Sequence, residues 1–554
     1  VSGKRSWWIG LFCFQAVMAV SQTFPAYPEG VALPRNATQL EKDYMANNPL
    51  RAYAGEAAPT GLLHCPAEYD PMDGILIAYD GAPGWLDILE EMAAQITTLG
   101  NADVYVAADS QSEVNTILTR MTAAGANMAR VQTMVVTTDS IWMRDYGPRY
   151  VYEGDCRIMV DHTYNRPRPN DNLFPAFFSQ FKNHRRYPIP LVHGGGNFHL
   201  HATAMAHTTR LINNENPGLS EAEIHDLWSR YQNLDTAFYQ PFPTLVDATQ
   251  HIDMWMQAIA DDAVIISDWP MDSGSIQDQI CDQTAQSLLD QGLQVYRVPA
   301  RSVGATHYTY TNVVMCNDIV LVPTYTNSQV SSHNAEAQTV WENALPDKTI
   351  VPINCEAIVG AAGVMHCIVM HLPAHLGGTA PTVHFKNEPG GQVYPALDGE
   401  EISLDYLVDD DAEVTSIDLM FSTDGGKNFT LLASGLPLQG HSAIATPQVP
   451  TTTRGRLRIV AWDAQSNSGF DQHEVDFTIN GPRPCPSDCF PNLGDGNYGD
   501  GDVNGDDLLA VASYWGDGFG PYDVTPPLGN QVFGDMVVDV RDMVAVVNDL
   551  GVCP

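Results

Sequence analysis

Between Gly61 and His375, short runs rich in β-branched and aromatic residues alternate with amphipathic helical patterns, and this alternation restricts the folds open to the chain. GILIAYD, ADVYVAAD, MVVTTD, CRIMVDHTY, AVIISD, LQVYRVPA, VVMCNDIVLVPTY and KTIVPIN read as strands, while WLDILEEMAAQITTLG and AQSLLDQGLQ carry apolar residues at helical spacing. Strands interleaved with helices predict an α/β domain over residues 61–378. From 383 to 480 the period changes. EISLDYLV, VTSIDLMFSTDGGKNFTLLA, RGRLRIVAWDAQSNSG and HEVDFTIN are strands divided by Gly and Asp turns, which predicts an all-β immunoglobulin-like or fibronectin-like sandwich.

With 554 residues the chain is too long for a single core. Its 66 Asp plus Glu against 27 Lys plus Arg give a net charge of −39, which argues against nucleic acid or an anionic membrane as partner. Lys4 and Arg5 precede an apolar run from Trp7 to Val20, followed by Ser21, so residues 1–21 read as a signal peptide and the protein as secreted, extracellular or periplasmic. That run is shorter than the ~20 residues of a membrane span, and no later segment is apolar enough to make one. Residues 22–60 form an N-terminal extension. Of ten cysteines, Cys13 falls in the signal and leaves nine, an odd number that keeps at least one thiol out of an intrachain disulfide. Cys485, Cys489 and Cys553 bracket the last segment, and a disulfide between its ends is expected.

Residues 481–554 open on a Pro-rich linker and contain a repeat: DDLLAVASYWG recurs as RDMVAVVNDLG with a period of 35 residues. Two short helices are implied, each preceded by an acidic loop. Asp495, Asn497, Asp500, Asn504 and Asp507 fall at nearly the spacing of a calcium loop, and Asp535, Asp539 and Asp542 repeat its latter half. The pair resembles a dockerin module, which implies calcium in these repeats and a cohesin-like or cell-envelope partner; the plain alternative is an acidic solvated tail.

Four stretches of the α/β region could carry chemistry: DSIWMRDYGP (139–148), HGGGNFH (193–199), QHIDMW (250–255) and GVMHCIVMHLP (363–373). Singly, an Asp beside Arg is commonly a structural ion pair, and a Cys in an apolar strand is commonly inert. Together they suit the breaking of a guanidinium C–N bond. That reaction needs a soft nucleophile, a proton donor for departing ammonia, and carboxylates that hold the cation. No zinc-ligand spacing occurs, so no cofactor is expected for catalysis. His199, His201 and His207 could alternatively be metal ligands on one strand face.

WMRDYGP, GGGN, HIDMW and MHC, in this order, resemble the agmatine deiminase and Porphyromonas-type peptidyl-arginine deiminase family of the guanidino-modifying superfamily, over roughly Gly61 to Ala374. The resemblance implies a pentein fold, an α/β-propeller of five units around a central funnel. It implies Cys367 as nucleophile, His251 as general acid and base, Asp145 and Asp253 as guanidinium-gripping carboxylates, and Asn312 as a residue that orders the group around the thiol. Trp142, Gly195, Gly196 and Asn197 would line the pocket. The chain departs from the family pattern after Gly-Gly-Asn, where His201 and Ala202 stand in place of an Asp-Gly pair.

TYNRPRPND (163–171) separates the branches. Arg166 and Arg168 are flanked by prolines that fix φ, and the peptidyl-arginine branch resembles this motif, which implies that the two arginines bind the α-carboxylate of a C-terminal arginine. Neutralisation of the pair by Asp161 and Asp171 is the bland alternative. The expected function is a secreted deiminase that converts C-terminal peptidyl arginine to citrulline and ammonia. The alternatives are a deiminase of agmatine or free arginine, and an inactive deiminase-like domain in an extracellular docking protein.

Overall fold

The computed structural model describes residues 24–28, 30–396, 400–438, 440–480 and parts of 487–552. The expected signal segment, Cys485, Cys553, Asp495, Asp500 and Asp535 lie outside the described residues.

The α/β region is built around five small sheets that repeat one pattern, with the two-stranded pair Arg301–Val303 and Thr306–Tyr308 in addition. An antiparallel pair leads through a helix to a third strand parallel to the second. Strands Met256–Ala260, Ala263–Asp268 and Gln294–Pro299 with helix Ile276–Asp290 show it plainly. So do Val314–Cys316, Ile319–Thr324 and Thr349–Asn354 with helix Asn334–Ala344. The ring closes because Met370–Pro373, its last strand, pairs antiparallel with Met72–Ala78 near its start. Strand Cys156–Tyr164 is buried along its whole length, both faces being covered, although it carries Arg157, Asp161 and His162.

Two sequence expectations shift. MVVTTD supplies only the end of a strand at Val131–Val135, and VVMCNDIVLVPTY is a hairpin whose turn carries Asn317 at φ +50°. Helices begin where local chemistry permits: Pro83 and Pro169 stand at the first helical turn, and Ser220 with Glu223 forms a capping box.

Beyond residue 380 the chain is β-rich. A three-stranded sheet (Thr382–Phe385, Glu401–Asp409, Gly440–Ala445) faces a larger one around Thr452–Asp463, with Ile402, Leu404, Ile417, Leu419, Leu457 and Ile459 among the buried residues between them. This unit is docked on the α/β ring. Asp409 accepts from Arg157 Nε (2.8 Å) and Nη2 (3.0 Å) and lies 3.0 Å from His184 Nε2, all three residues being buried. Its burial alone would raise the carboxyl pKa, but Arg157 and His184 hold it well below the usual range. Because the folded value is depressed, its stabilisation is present above the unfolded pKa of about 4 and is lost as pH falls further. Asp409→Ala leaves Arg157 buried with Asp73 as its remaining carboxylate partner, 2.6 Å away. We expect it to cost about 3–5 kcal/mol, read as a lowered thermal midpoint, and an unchanged midpoint would show the junction to be loose.

Helices Gly505–Ser513 and Val540–Asn548 confirm the 35-residue repeat as a repeated helix. Asn504 and Asp539 are their N-caps. Asp507 accepts from the backbone amides of Cys489, Phe490 and Asn504, and Asp542 from those of Val524 and Asp539. These four residues therefore serve as helix caps in this structure. Of Asn497 only the backbone, in a short strand, is described. Cys489 Sγ lies 3.6 Å from the Asp507 carbonyl. Among the described residues no helix is long and apolar enough to cross a membrane.

Candidate active site

Each of the five sheets is entered through a short irregular turn, and these turns meet at the centre of the ring. Asp145 lies in Met143–Tyr146, before strand Arg149–Glu153. Gly195, Gly196 and Asn197 precede His199–Leu200, and His251 and Asp253 lie at or in the turn before Met256–Ala260. Asn312 precedes Val314–Cys316, and Cys367 sits in turn His366–Ile368 before Met370–Pro373, not inside a strand as its apolar neighbours imply. Residues more than 200 positions apart thus converge because each closes the same end of an equivalent unit.

A guanidinium occupies the convergence point, and it belongs to Arg35 of the N-terminal extension. Its Nε and Nη2 donate to Asp145 Oδ2 (3.0 Å) and Oδ1 (2.8 Å), a side-on fork. Nη1 and Nη2 donate to Asp253 Oδ1 (3.1 Å) and Oδ2 (2.9 Å), an end-on fork. Nη1 also donates to Cys367 Sγ at 2.6 Å, and Nη2 lies 2.8 Å from His251 Nδ1. Arg35, Asp145, His251, Asp253, Asn312 and Cys367 are all wholly buried.

The backbone has been cleared for this cation. A Cβ on Gly196 would stand 1.8 Å from Arg35 Nη2, and one on Gly195 would stand 2.3 Å from the Arg144 carbonyl. Asn197 Oδ1 accepts from the Thr209 and Ile252 amides and so fixes the turn that carries His251 and Asp253. Asn312 holds the other side: its Nδ2 donates to the Asp253 carbonyl, and its Oδ1 accepts from the His366 amide and lies 3.3 Å from Cys367 Sγ. Trp142 is buried and donates from its indole to the Leu33 carbonyl.

Burial would raise both gripping carboxyls, yet Arg35, with His251 beside Asp145 and His366 beside Asp253, holds them well below the carboxylate range. Burial pushes the Cys367 thiol well above its ordinary value; the Arg35 cation opposes that rise, and Asp253 and Asp145 add to it.

The sequence did not disclose three further participants. His366 bridges Asp253 Oδ2 (2.9 Å) and Glu68 Oε1 (3.0 Å), and Glu68 is in turn paired with Arg144 at 2.7 Å. His199 joins Glu68 and His366 in a close group, whereas His201 and His207 face each other at 3.0 Å, so the three histidines do not converge as one ligand set. Arg166 Nε donates to the carbonyl of Arg35 (3.2 Å). Arg168 makes a fork with the Glu41 carboxylate (2.8 and 3.3 Å) and donates to the Pro34 carbonyl (2.8 Å). Neither is neutralised by Asp161, which pairs with Arg186, or by Asp171, which accepts from Ser140 and the Asp139 amide.

A family model for Porphyromonas-type peptidyl-arginine deiminase matches residues 64–373. The chain belongs to that family. Similar proteins include a putative agmatine deiminase of Vibrio parahaemolyticus, 24% identical over 361 residues (56% of this chain, 96% of the relative). The agmatine deiminase of Ectopseudomonas mendocina is 24% identical over 293 residues, 45% of this chain and 78% of its own. The fold is that of the crystal structure of the putative arginine deiminase from Porphyromonas gingivalis (TM-score 0.50, 19% identity, 57% of this chain and 99% of the other). A putative agmatine deiminase structure gives TM-score 0.51 at 19% identity, over 57% of this chain and 96% of the other. The α/β ring is therefore pentein-like, and the Porphyromonas-type family places the chain among guanidino-group deiminases, which hydrolyse amidines.

Proposed function

We propose that this deiminase converts peptidyl arginine, preferentially at a chain terminus, to citrulline and ammonia. The observation that carries the reading is the occupied pocket: a thiol, an imidazole and two carboxylates surround the guanidinium of an arginine whose main chain is met by Arg166. With Arg35 standing in for substrate, Asp145 and Asp253 neutralise the cation and fix its plane. Cys367 adds as thiolate to the guanidinium carbon. His251, at hydrogen-bond distance from Nη2, protonates that nitrogen as ammonia departs and then takes a proton from the water that releases citrulline. His366 is engaged on both nitrogens away from the cation and acts as a positioning residue for Asp253.

Secretion, a calcium-binding docking module and an immunoglobulin-like or fibronectin-like fold for the sandwich are part of this proposal, supported by the sequence patterns. Agmatine is the second reading, favoured by the names of the relatives. Agmatine has no carbonyl or carboxylate for Arg166 to meet. The test is citrulline formation from a peptide ending in arginine, its amide, free arginine and agmatine. With the pocket emptied by Arg35→Ala, adding Arg166→Ala is expected to lower kcat/KM for the free-carboxylate peptide roughly ten- to a hundredfold and to leave agmatine turnover unchanged. Equal loss on all four substrates would remove the carboxylate preference.

A further inference from the structure

We infer that residues 31–48 form a built-in pseudosubstrate: Arg35 fills the guanidinium subsite of its own chain and excludes outside substrates until this strap is released. The inference rests on the guanidinium-binding reading of the site. Two guanidinium groups cannot share Asp145 and Asp253, because the forks of Arg35 engage both oxygens of each carboxylate. Gly196 leaves no spare volume beside it.

The strap is held along its length, so occupancy is not the placing of one side chain. The Arg35 amide donates to the Ala361 carbonyl (3.0 Å), Trp142 holds the Leu33 carbonyl (2.8 Å), and Arg168 holds both Pro34 and Glu41. Thr38 and Glu41 form the capping box of helix Gln39–Asn47, so the carboxylate that meets Arg168 is itself fixed by Thr38. Glu41 thereby supplies to Arg168 the carboxylate that a substrate terminus is proposed to supply. Arg166 and Arg168 carry out their substrate contacts on the strap.

The strap behaves as an inhibitor rather than a substrate. Cys367 Sγ meets Nη1–H at the edge of the guanidinium, whereas addition to the carbon requires sulfur over its face. All the reacting groups lie wholly buried beneath the strap, which closes the path for hydrolytic water.

Release has a natural place. Pro49 and Arg51 are exposed, whereas the following chain is anchored to the ring: the Tyr53 amide on Thr163 Oγ1 (3.0 Å), and the Thr60 and Gly61 amides on Glu153 Oε1 (3.0 and 2.8 Å). A cut at 49–51 would free the strap and leave the ring intact.

The experiment compares the intact chain, Arg35→Ala, and a chain with a protease site at 49–51 before and after cutting. It measures KM and kcat for a peptide ending in arginine, the rate of Cys367 alkylation by iodoacetamide, and the mass of the peptide that contains Arg35. A tethered competitor multiplies KM and leaves kcat alone, so release is expected to lower KM by roughly tenfold or more, with Cys367 alkylated faster by a similar factor. Residue 35 should remain arginine in the intact chain. Equal KM and alkylation in all forms would overturn the strap, and citrulline at position 35 would make it a substrate instead. Faster alkylation on release with no turnover of any guanidino compound would uphold the strap and sink the deiminase reading. The cut chain keeps the test decisive if Arg35→Ala fails to fold.

Discussion

Cys367→Ala is expected to reduce citrulline formation by roughly 10⁴-fold or more while guanidinium binding survives. The two properties separate because they reside in different atoms. The cation is held by four carboxylate oxygens of Asp145 and Asp253, whereas Cys367 contributes one sulfur contact. Calorimetry with a peptide ending in arginine, on the strap-released chain, should therefore still show binding. Retained turnover would exclude a covalent thiol route. The thiol is raised by burial and by the two carboxylates, with the guanidinium the opposing influence. A bound cation thus makes the thiolate more accessible, and turnover should climb as pH rises toward the thiol pKa.

The parts of this site that the sequence disclosed are those whose chemistry is local. WMRDYGP, HIDMW and MHC each carry a reactive side chain beside the turn that aims it, so Asp145, His251, Asp253 and Cys367 could be named. Helix Glu221–Gln232, which starts at the capping box Ser220–Glu223, is not among the helices expected from the sequence. Arg35 gave no local signal. It is one arginine in LPRNATQLEKDY, and its meaning comes from carboxylates 110 and 218 residues away. Glu68 and His366 were missed for the same reason, since their roles exist only through Asp253 and Arg144. Arg166 and Arg168 fall between these cases: the prolines marked them as directed cations, Pro169 starts the helix that follows Arg168, and the partners they meet could be found only in three dimensions.

Asp145→Ala tests how the cation's two partners divide their task. In the intact chain the substitution leaves the Arg35 guanidinium buried with one carboxylate, a loss of about 3–5 kcal/mol when one partner of a buried pair is removed. The ring need not unfold to relieve it, because the strap can carry Arg35 out to water. Limited proteolysis should therefore detect cutting after Arg35 in Asp145→Ala under conditions where the unsubstituted chain resists, with little change in the thermal midpoint of the ring. Turnover should nevertheless fall by roughly a hundred- to several-thousandfold in kcat/KM, because the same fork is withdrawn from substrate. Asp145 is held ionised well below the ordinary carboxylate range despite its burial, so its grip persists above a pH of about 4 and weakens only as pH drops toward its depressed value. Acid should thus open the strap in the unsubstituted chain only below that range. A strap that stays closed in Asp145→Ala at neutral pH would assign the grip on Arg35 to Asp253 and the backbone contacts of residues 33–41 instead.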